Sequence, residues 1–425
     1  MNSTAPDPQP VSGWHAVAAG CAVPYATFTE RAYYDAEQTR IFRGPTWSFV
    51  GLAAELAQPG DFKSTFIGEA PVIVTRDRDG VLHVLRNRCA HRGALVCRER
   101  RGHATRLQCV YHQWNYDLGG RLLGLPFRAG VGGQGGMPAS FELPAHGLEK
   151  LKVASLHGLI FASFDPAVES LTDYLGPMVC ASIARIFNRP LRVLGDQRQY
   201  MHGNWKLYCE NTRDPYHASL LHLFHNTFGL YRASQTGACL MDSRHRHTML
   251  YTQAATTRTE LDQEIYRDVR SYDPTFKLHD ASLLAGRPEF DDGITLVILS
   301  IFPNVVVQQI ANTLAVRQIV TAGTDAFELV WTHFGYADDD LEMQRIRLKQ
   351  ANLIGPAGLI SMEDGEAVEI VQRAVRQDQD KASYIAMGGG RIEDTPHLTT
   401  ESAIVGFWAY YRSLLGIELA PATAT

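Results

Sequence analysis

The stretch that decides the fold is Cys89-Ala-His91, followed after seventeen intervening residues by Cys109-Val-Tyr-His112. Each of these two short segments supplies one thiolate and one imidazole, and both groups are metal ligands. Gly93 follows the first segment closely, and Gly119-Gly120 follows the second. Each segment therefore predicts a loop that is bounded by turn-forming residues.

The mixed composition of each loop favours iron and sulfide over zinc alone. In a [2Fe-2S] cluster of the Rieske type, two cysteines hold one iron and two histidines hold the other. A structural zinc site also has four ligands, but it usually places two cysteines in one knuckle and two histidines in another. The sequence therefore predicts a Rieske cluster with the ligands Cys89, His91, Cys109 and His112.

Length and composition bound the rest of the molecule. A chain of 425 residues is too long for one ordinary core, so two domains are expected. A hydrophobic content of 45% and a charged content of 20% are typical of a soluble globular protein. The net charge of -5 offers no basic footprint for nucleic acid. Apolar runs such as 294–307 are broken by polar residues and fall short of the ~20 residues that a membrane-spanning helix needs.

Cysteine usage and the N-terminus indicate the compartment. Two of the seven cysteines are assigned to the cluster, and the others are scattered without the spacing of a disulfide framework, so no disulfide is predicted. Residues 1–13 are polar and proline-rich, without the apolar core of a signal peptide. These features predict a cytoplasmic protein.

The pattern divides the chain into three stretches. Residues 1–45 are an N-terminal segment that is expected to pack on the C-terminal domain, with helical character over 25–42. Residues 46–165 are rich in short β-runs with glycine turns, which predicts an all-β cluster domain. Residues 166–425 form the C-terminal domain. Its apolar patterns predict strands at 294–307, 314–321 and 327–334 and helices at 341–353 and 363–376.

A second group of metal-ligating side chains lies at Asp214-Pro215-Tyr216-His217 and at His222. Pro215 fits the first turn of a helix and Asp214 can cap it, so a helix is predicted to start there. His217 and His222 are five positions apart, which is about 140° around an ideal helix. Both can bind one metal only if the helix ends or bends between them. His225 is an alternative to His222, and spacing alone does not choose between them.

A mononuclear iron site is the function that this second group suggests. A non-haem Fe(II) site takes two histidines and one carboxylate on one face and leaves positions open for oxygen and substrate. The alternative is a helix with ordinary surface or core histidines. The cluster favours the iron site, because a one-electron carrier needs an acceptor in the same chain or on a partner. A Rieske electron-transfer protein without oxygenase activity is the alternative from another functional class.

The chain resembles the large (α) subunit of the Rieske non-haem iron aromatic ring-hydroxylating oxygenases, from about Tyr25 to Gly416. The resemblance implies an α+β fold, with an all-β Rieske iron-sulfur domain and a catalytic domain whose helices cover an antiparallel sheet of the helix-grip type. It also implies an oxidoreductase that holds one cluster and one mononuclear iron. The segments that carry it are Cys89-Ala-His91-Arg92-Gly93, Cys109-Val-Tyr-His112-Gln113-Trp114, Asn204-Trp205-Lys206 and Asp214-x-Tyr216-His217-x4-His222.

The resemblance assigns the iron ligands. His217 and His222 correspond to the iron histidines of the family, which selects His222 over His225. The third ligand of the family is an Asp that follows a Gly-Pro-Ala-Gly element late in the chain, and here that element leads to Asp364. Glu363 is an alternative third ligand, because many members have Asp-Asp where this chain has Glu-Asp.

The resemblance also gives Asp214 a role in electron transfer. In the family this carboxylate links an iron-ligand histidine to a cluster histidine of the neighbouring subunit, which by position are His217 and His112. That link implies an α3 trimer, or an α3β3 hexamer with small β subunits. Electrons are expected from NADH through a reductase, with or without a ferredoxin. No flavin or nicotinamide motif occurs in the sequence, so the reductase is predicted to be another polypeptide.

Ring carboxylates are the predicted substrates. Within the family the chain resembles the anthranilate 1,2-dioxygenase, salicylate 5-hydroxylase and terephthalate dioxygenase types, so anthranilate is the first choice and salicylate or another benzoate the next. Arg317 interrupts an apolar segment, and a guanidinium in a pocket wall can grip a carboxylate with two parallel hydrogen bonds. The alternative is that Arg317 faces solvent or pairs with an acid. The segment 398–401 lacks a second Arg, which favours a monocarboxylate, and a monooxygenase reaction stays open.

Overall fold

The computed structural model describes residues 21–254 and 260–417. These residues form two compact units, one from Phe42 to Tyr174 and the other from the residues up to Ile41 together with those from Leu175 on. Residues 1–20 of the predicted N-terminal segment lie outside the described residues. The domain borders predicted after 45 and 165 stay a prediction. Every helix within the described ranges is too short or too polar to span a lipid bilayer.

The described chain begins with β1 (Ala22–Pro24), α1 (Ala26–Thr29) and α2 (Arg31–Arg40). The helical character predicted over 25–42 is confirmed, and it is divided between two helices. Glu30 adopts an extended conformation, with φ −84° and ψ 133°, and so separates two helices.

The unit from Phe42 to Tyr174 is built from short antiparallel strands, as the turn-rich sequence predicts. In chain order they are β2 (Ser48–Leu52), β3 (Asp61–Ile67), β4 (Ala70–Arg76), β5 (Leu82–Arg86), β6 (Arg101–His103), β7 (Leu107–Gln108), β8 (Asn115–Tyr116), β9 (Leu122–Gly124), β10 (Lys152–Leu156) and β11 (Leu159–Ser163). They form three sheets with the strand orders β10-β11-β2, β5-β4-β3-β6 and β7-β8-β9. The loops after β5 and after β7 carry the two Cys/His segments.

The remaining elements alternate helices with longer strands. They are α3 (Leu171–Ile186), β12 (Leu191–Met201), α4 (Trp205–Asn211), α5 (Pro215–Leu221), α6 (Leu223–Phe228), β13 (Gly237–Met241), β14 (Thr248–Gln253), α7 (Glu260–Ile265), β15 (Ile294–Ile301), β16 (Val305–Ile310), β17 (Thr313–Thr321), β18 (Phe327–Tyr336), α8 (Leu341–Ile354), α9 (Leu359–Val375), β19 (Ala382–Tyr384) and α10 (Ser402–Leu415).

Seven of these strands form one antiparallel sheet in the order β12-β18-β17-β16-β15-β14-β13. The single strand predicted over 294–307 is wrong, because the chain reverses after Ile301 and β16 pairs with β15 with Val305 opposite Ile301. Pro303 lies in this turn, and its missing N–H cannot extend a ladder. The strands predicted at 314–321 and 327–334 are confirmed.

Helices cover this sheet. The predicted helices at 341–353 and 363–376 are confirmed as α8 and α9, although α9 already begins at Leu359. Helix α8 packs on β17 and β18, α4 packs on β17, and α9 packs on β12 and on α4. The predicted α+β class, with an antiparallel sheet covered by helices, is confirmed. The contact between α4 and α9 brings together two segments that are far apart in sequence.

A buried ion pair ties α2 to α4. The Lys206 ammonium lies 2.6 Å from a Glu37 carboxylate oxygen, and both side chains are fully buried. Trp205 Nε1 and the Tyr411 hydroxyl donate to the same carboxylate at 2.7 and 2.6 Å. A buried charge needs such partners, because its desolvation costs several kcal/mol.

Candidate active site and metal centres

The first Cys/His loop is shaped by backbone hydrogen bonds. The Cys89 N–H donates to the Ala94 carbonyl at 2.8 Å, and the Gly93 N–H donates back to the Cys89 carbonyl at 3.0 Å. Gly93 has φ +77°, in the left-handed region that favours glycine. The loop is therefore a tight turn that presents the intervening side chains outward.

The second loop repeats this pattern. The Cys109 N–H donates to the Trp114 carbonyl at 2.9 Å, and the Gln113 N–H donates to the Cys109 carbonyl at 2.8 Å. Gln113 has φ +54° at the position that corresponds to Gly93 in the first loop. The two loops thus share one backbone plan although their histidines differ in spacing. The sequence alone predicts the turns and not their equivalence.

The two thiols lie in the core of the smaller unit. Cys89 and Cys109 are 3% and 2% exposed. The Tyr116 hydroxyl lies 3.2 Å from Cys89 Sγ. Burial raises the pKa of the Cys89 thiol, and the neighbouring Cys109 thiol acts in the same direction. Two close, buried thiols suit a pair of thiolates that a metal cation would stabilise.

The two imidazoles lie together at the more exposed side of the loops. The His91 and His112 ring centroids are 4.5 Å apart, and His91 stacks on Trp114 with centroids 4.9 Å apart and an interplanar angle of 3°. His91 is exposed and His112 is half-buried. A thiol pair inside and an imidazole pair outside fit a cluster with one iron held by cysteine and the other by histidine.

The second site begins at the N-terminus of α5. Asp214 caps this helix, and its Oδ1 accepts the N–H groups of Tyr216 and His217 at 2.8 and 3.2 Å. The helix ends at Leu221, and His222 is extended with φ −92° and ψ 111° before α6 begins. The break that two histidines five positions apart require is therefore present, and the two rings come within 5.4 Å.

Asp364, which lies on α9, forms a group of three with His217 and His222. Its Oδ1 lies 3.4 Å from His217 Nε2 and 3.3 Å from His222 Nε2. One ligand atom from each of the three residues lies within 4.8 Å of the others. Two imidazole nitrogens and one carboxylate are the donor set of a facial Fe(II) site, so these residues fit that metal.

Two further carboxylates face the Nδ1 atoms of the histidines, on the side of each ring away from Asp364. Glu363 Oε2 lies 2.7 Å from His222 Nδ1. Asp214 Oδ2 lies 3.2 Å from His217 Nδ1, although this pair lacks the alignment of a regular hydrogen bond. Metal-bound histidines commonly have such a partner on the second nitrogen. Glu363 therefore lies behind His222 and outside the group of three, which favours Asp364 as the carboxylate ligand.

Asn211 was missed by the sequence reasoning. Its Nδ2 donates to Asp364 Oδ1 at 2.9 Å and lies 3.3 Å from His217 Nε2. Asn211 is the last residue of α4, and its proximity to α9 follows from the packing of the two helices. No local motif in the sequence could have indicated this contact.

The charges of the site favour a bound cation. Burial alone would lower the pKa of His217, but Asp214 and Asp364 outweigh it and raise that pKa to about 10. Burial alone would raise the pKa of Asp364, but His222 and His217 outweigh it and hold that pKa well below its usual range. The carboxylates thus keep positive charge on the imidazoles, and a metal ion can take the place of their protons.

His225 lies beside the group of three and outside it. Its ring centroid is 4.7 Å from that of His222. Its Nδ1 lies 3.2 Å from the Ala218 carbonyl, and its Nε2 has no hydrogen-bond partner among the described residues. Burial, together with the neighbouring His222, lowers the pKa of His225 well below its usual value.

A small cavity of about 60 Å³ opens at these residues. The sheet supplies Arg317 and most of the apolar side chains, and α9 supplies Ile360 and Asp364. The lining residues are Asn211, Thr212, Asp214, His217, Ala218, His222, His225, Tyr231, Leu250, Leu296, Ile298, Ile310, Arg317, Ile360 and Asp364.

Arg317 is buried in this cavity wall and does not face solvent. It lies on β17 and is 6% exposed. Its Nη1 donates to the Tyr208 hydroxyl at 2.9 Å, and its Cζ lies 4.4 Å from the ring centroid of Trp331 on β18. Its Nε is buried without a hydrogen-bond partner among the described residues. The role of Arg317 in substrate binding stays a prediction.

Comparison with known families and proteins agrees with this geometry. Residues 46–135 match the Rieske [2Fe-2S] domain, and residues 191–416 match the catalytic domain of the ring-hydroxylating α subunit. The chain is 51% identical to the anthranilate 1,2-dioxygenase large subunit of Burkholderia cepacia, over 93% of this chain and 94% of that one. It is 46% identical to a terephthalate 1,2-dioxygenase terminal oxygenase α subunit of Comamonas sp., over 96% and 98%.

A third relative and one solved structure complete the comparison. The chain is 45% identical to the large oxygenase component of a salicylate 5-hydroxylase of Ralstonia sp., over 93% of this chain and 94% of that one. Naphthalene 1,2-dioxygenase from Rhodococcus sp. has the same fold, with a TM-score of 0.78, 24% identity, and coverage of 95% and 96%. The chain therefore belongs to the Rieske non-haem iron aromatic ring-hydroxylating oxygenases, as a large (α) subunit that carries a [2Fe-2S] cluster and a mononuclear iron.

Proposed function

We propose that this chain is the terminal oxygenase subunit of a multicomponent dioxygenase for ring-carboxylated aromatics, with anthranilate as first choice and salicylate or another benzoate next. The observation that carries the substrate class is Arg317, a buried guanidinium in the wall of the cavity that holds the iron-site residues. The similarity to an anthranilate 1,2-dioxygenase large subunit supports the choice of anthranilate.

The metal-holding roles follow from the donor sets. Cys89, His91, Cys109 and His112 hold the cluster, and His217, His222 and Asp364 hold the iron. When bound, the cluster supplies single electrons and the iron supplies the position at which oxygen is activated. The chain's own carboxylates orient the histidines, with Glu363 behind His222 and Asp214 behind His217.

Asp214 has a second role in this proposal. One of its oxygens caps α5 and the other faces His217, so the carboxylate is held firmly where it can accept a further hydrogen bond. In an assembled trimer that donor is His112 of the neighbouring subunit. The complete enzyme is accordingly an α3 or α3β3 assembly in the cytoplasm, with small β subunits in the second case, and an NADH reductase with or without a ferredoxin supplies electrons.

The surroundings of Arg317 explain how it would bind a carboxylate. Burying a cation without an acid is costly, and no carboxylate of the described residues forms an ion pair with this guanidinium. Tyr208 and Trp331 fix its orientation by a hydrogen bond and a cation–π contact. His333 is neutral at pH 7, because burial and Arg317 together lower its pKa to about 4, and so it supplies no counter-charge. A substrate carboxylate supplies the missing counter-charge.

The cavity favours one carboxylate over two. Arg317 is the only Lys or Arg among the described residues that line it. A para-dicarboxylate such as terephthalate would need a second cation at the far end of the ring. A benzoate with one carboxylate leaves the rest of the ring against apolar side chains such as Leu250, Leu296 and Ile298.

The test replaces Arg317 by Lys, with Arg192→Lys as matched control because Arg192 is an exposed residue of β12. We expect Arg317→Lys to raise KM for anthranilate by about 10- to 100-fold, since a bidentate charged hydrogen bond is lost. KM for an uncharged arene should change far less, and Arg192→Lys should change neither. Equal effects of Arg317→Lys on both substrates would contradict the carboxylate-binding role.

A monooxygenase of the salicylate 5-hydroxylase type is the second candidate function. The observation that favours it is the 45% identity to the large oxygenase component of such an enzyme. The same metal sites serve both reactions. Turnover under ¹⁸O₂ separates them, because a dioxygenase places two labelled atoms in the product and a monooxygenase places one.

A further inference from the structure

His225 is a polar side chain of the cavity that the iron site does not use. It is 5% exposed, and among the described residues its Nε2 has no hydrogen-bond partner. A buried polar atom without a partner carries a desolvation cost, so most such atoms in folded proteins are satisfied. An exception inside a ligand cavity points to a partner that arrives with the ligand.

The contacts of the ring decide what Nε2 can do. A carbonyl oxygen can only accept, so Nδ1, which faces the Ala218 carbonyl at 3.2 Å, carries the hydrogen. In the neutral ring Nε2 is then a hydrogen-bond acceptor. The ring is also held on two sides, with centroids 4.7 Å from His222 and 5.6 Å from Tyr231.

His225 and Arg317 line the same cavity. Arg317 offers positive N–H donors, and His225 offers a neutral acceptor. A ligand that satisfies both needs a carboxylate and, elsewhere on the ring, an N–H or O–H group.

We propose that His225 Nε2 accepts a hydrogen bond from an amino group ortho to the substrate carboxylate and so selects 2-aminobenzoates. This inference rests on the proposed function, which supplies the carboxylate. His225 is thereby a specificity-determining residue for the reaction of this family.

The chemistry of the ring substituents gives the order of preference. An ortho amino group has two hydrogens, so one can stay with the adjacent carboxylate while the other reaches Nε2. An ortho hydroxyl has one hydrogen, and it already donates that hydrogen in a hydrogen bond to the adjacent carboxylate. A methyl group of similar size has no hydrogen that it can donate, so Nε2 stays buried without a partner. A site built for hydrogen bonding discriminates strongly against such an analogue.

The test measures binding to the holoenzyme by calorimetry, without turnover. The ligands are anthranilate, salicylate, benzoate and 2-methylbenzoate. For the native enzyme we expect anthranilate to bind at least about tenfold more tightly than 2-methylbenzoate, with salicylate and benzoate also weaker than anthranilate. Equal affinities for anthranilate and 2-methylbenzoate would overturn the inference without any variant.

Two variants locate the effect. His225→Phe keeps a ring of similar shape and removes the acceptor, so we expect anthranilate affinity to fall about tenfold and 2-methylbenzoate affinity to change less than about threefold. His225→Gln offers an amide oxygen and should restore part of the loss. Equal losses for both ligands in His225→Phe, at full iron and cluster content, would assign His225 a structural role and overturn the inference.

The same titrations keep the two proposals apart. Arg317→Lys should weaken all four ligands alike, because each carries the carboxylate. If Arg317→Lys changes no affinity, the proposed substrate class fails. If Arg317→Lys weakens all four while the native enzyme does not prefer anthranilate, the substrate class stands and the role of His225 fails.

Discussion

The two metal centres of this chain are built in opposite ways. The cluster side chains all come from one stretch, 89–112, on two loops with the same backbone hydrogen bonds. The iron-site side chains come from α5, the residue that follows it, and α9, and the contact between His222 and Glu363 spans 141 positions of sequence. A centre of the first kind can be predicted from spacing alone, whereas one of the second kind depends on the packing of the whole domain.

The difference extends to what supports each ligand. In the cluster loops, support comes from backbone groups and from aromatic rings such as Tyr116 and Trp114. At the iron site, support comes from carboxylates that face the second nitrogen of each histidine. The first centre is therefore expected to tolerate remote changes, and the second to be sensitive to them.

The largest expected effect is the loss of one centre without the other. Cys109→Ser should remove the visible absorption of the cluster and leave mononuclear iron bound, because the two sites share no ligand. Asp364→Ala should remove the mononuclear iron and leave the visible absorption of the cluster unchanged. Both variants should have no detectable turnover. Iron analysis together with the electron paramagnetic resonance of the reduced cluster measures each centre separately, and loss of the cluster signal in Asp364→Ala would show that the two centres are not built independently.

A smaller effect is expected at the connection between the centres. Asp214→Asn should leave both metals bound, since Asn also caps a helix and neither metal loses a ligand. Turnover should fall by about 100-fold, because a carboxylate that supports a metal histidine is lost. Rapid-mixing measurement of cluster oxidation, with substrate and oxygen present, checks this.

Asp214→Ala is the control variant that tests the helix-capping role of Asp214. It removes both the cap and the carboxylate, so it should also lower the stability of α5 by about 1 kcal/mol. If cluster oxidation in Asp214→Asn proceeded at the native rate, Asp214 would have only the capping role.

The smallest effect compares the two cluster loops with each other. Gly93→Ala should destabilise its loop by about 1–2 kcal/mol, because an L-residue is strained at φ +77° while no atom crowds the added Cβ. Gly93→Asn should cost less, since Asn tolerates this region. Gln113→Gly should be neutral or slightly stabilising. The urea concentration that releases the cluster measures all three, and an equal response to Ala and Asn at position 93 would refute the conformational explanation.

The sequence predicts the cluster loops, the α+β class and the start of α5 at Pro215, because each depends on local spacing or on turn and capping residues. It also shows that His217 and His222 require a break in the helix, and the extended His222 provides it. Spacing does not predict which carboxylate joins the two histidines at the iron site. Asp364 and Glu363 are adjacent in sequence, but Asp364 lies near His222 Nε2 and Glu363 lies near His222 Nδ1. Tertiary packing decides that point, as it decides the position of Asn211.

The strand error and the ambiguity at Arg317 have equally specific causes. The run 294–307 is apolar on both sides of its turn, so its pattern resembles one long strand, and only the pairing of β15 with β16 reveals two. Arg317 could have faced either side of β17, and the alternation of a strand buried on both faces does not choose between them.

The ion pair between Glu37 and Lys206 has a practical consequence for dissecting this enzyme. The Glu37 carboxylate, which neutralises the Lys206 ammonium on α4, comes from α2, far upstream of the catalytic domain in sequence. A recombinant fragment that starts at the iron-binding domain would lack Glu37 and so would leave the buried Lys206 ammonium without its counter-ion. The Trp205 indole and the Tyr411 hydroxyl would lose the same hydrogen-bond acceptor. Expression of the catalytic half in isolation should therefore include α2.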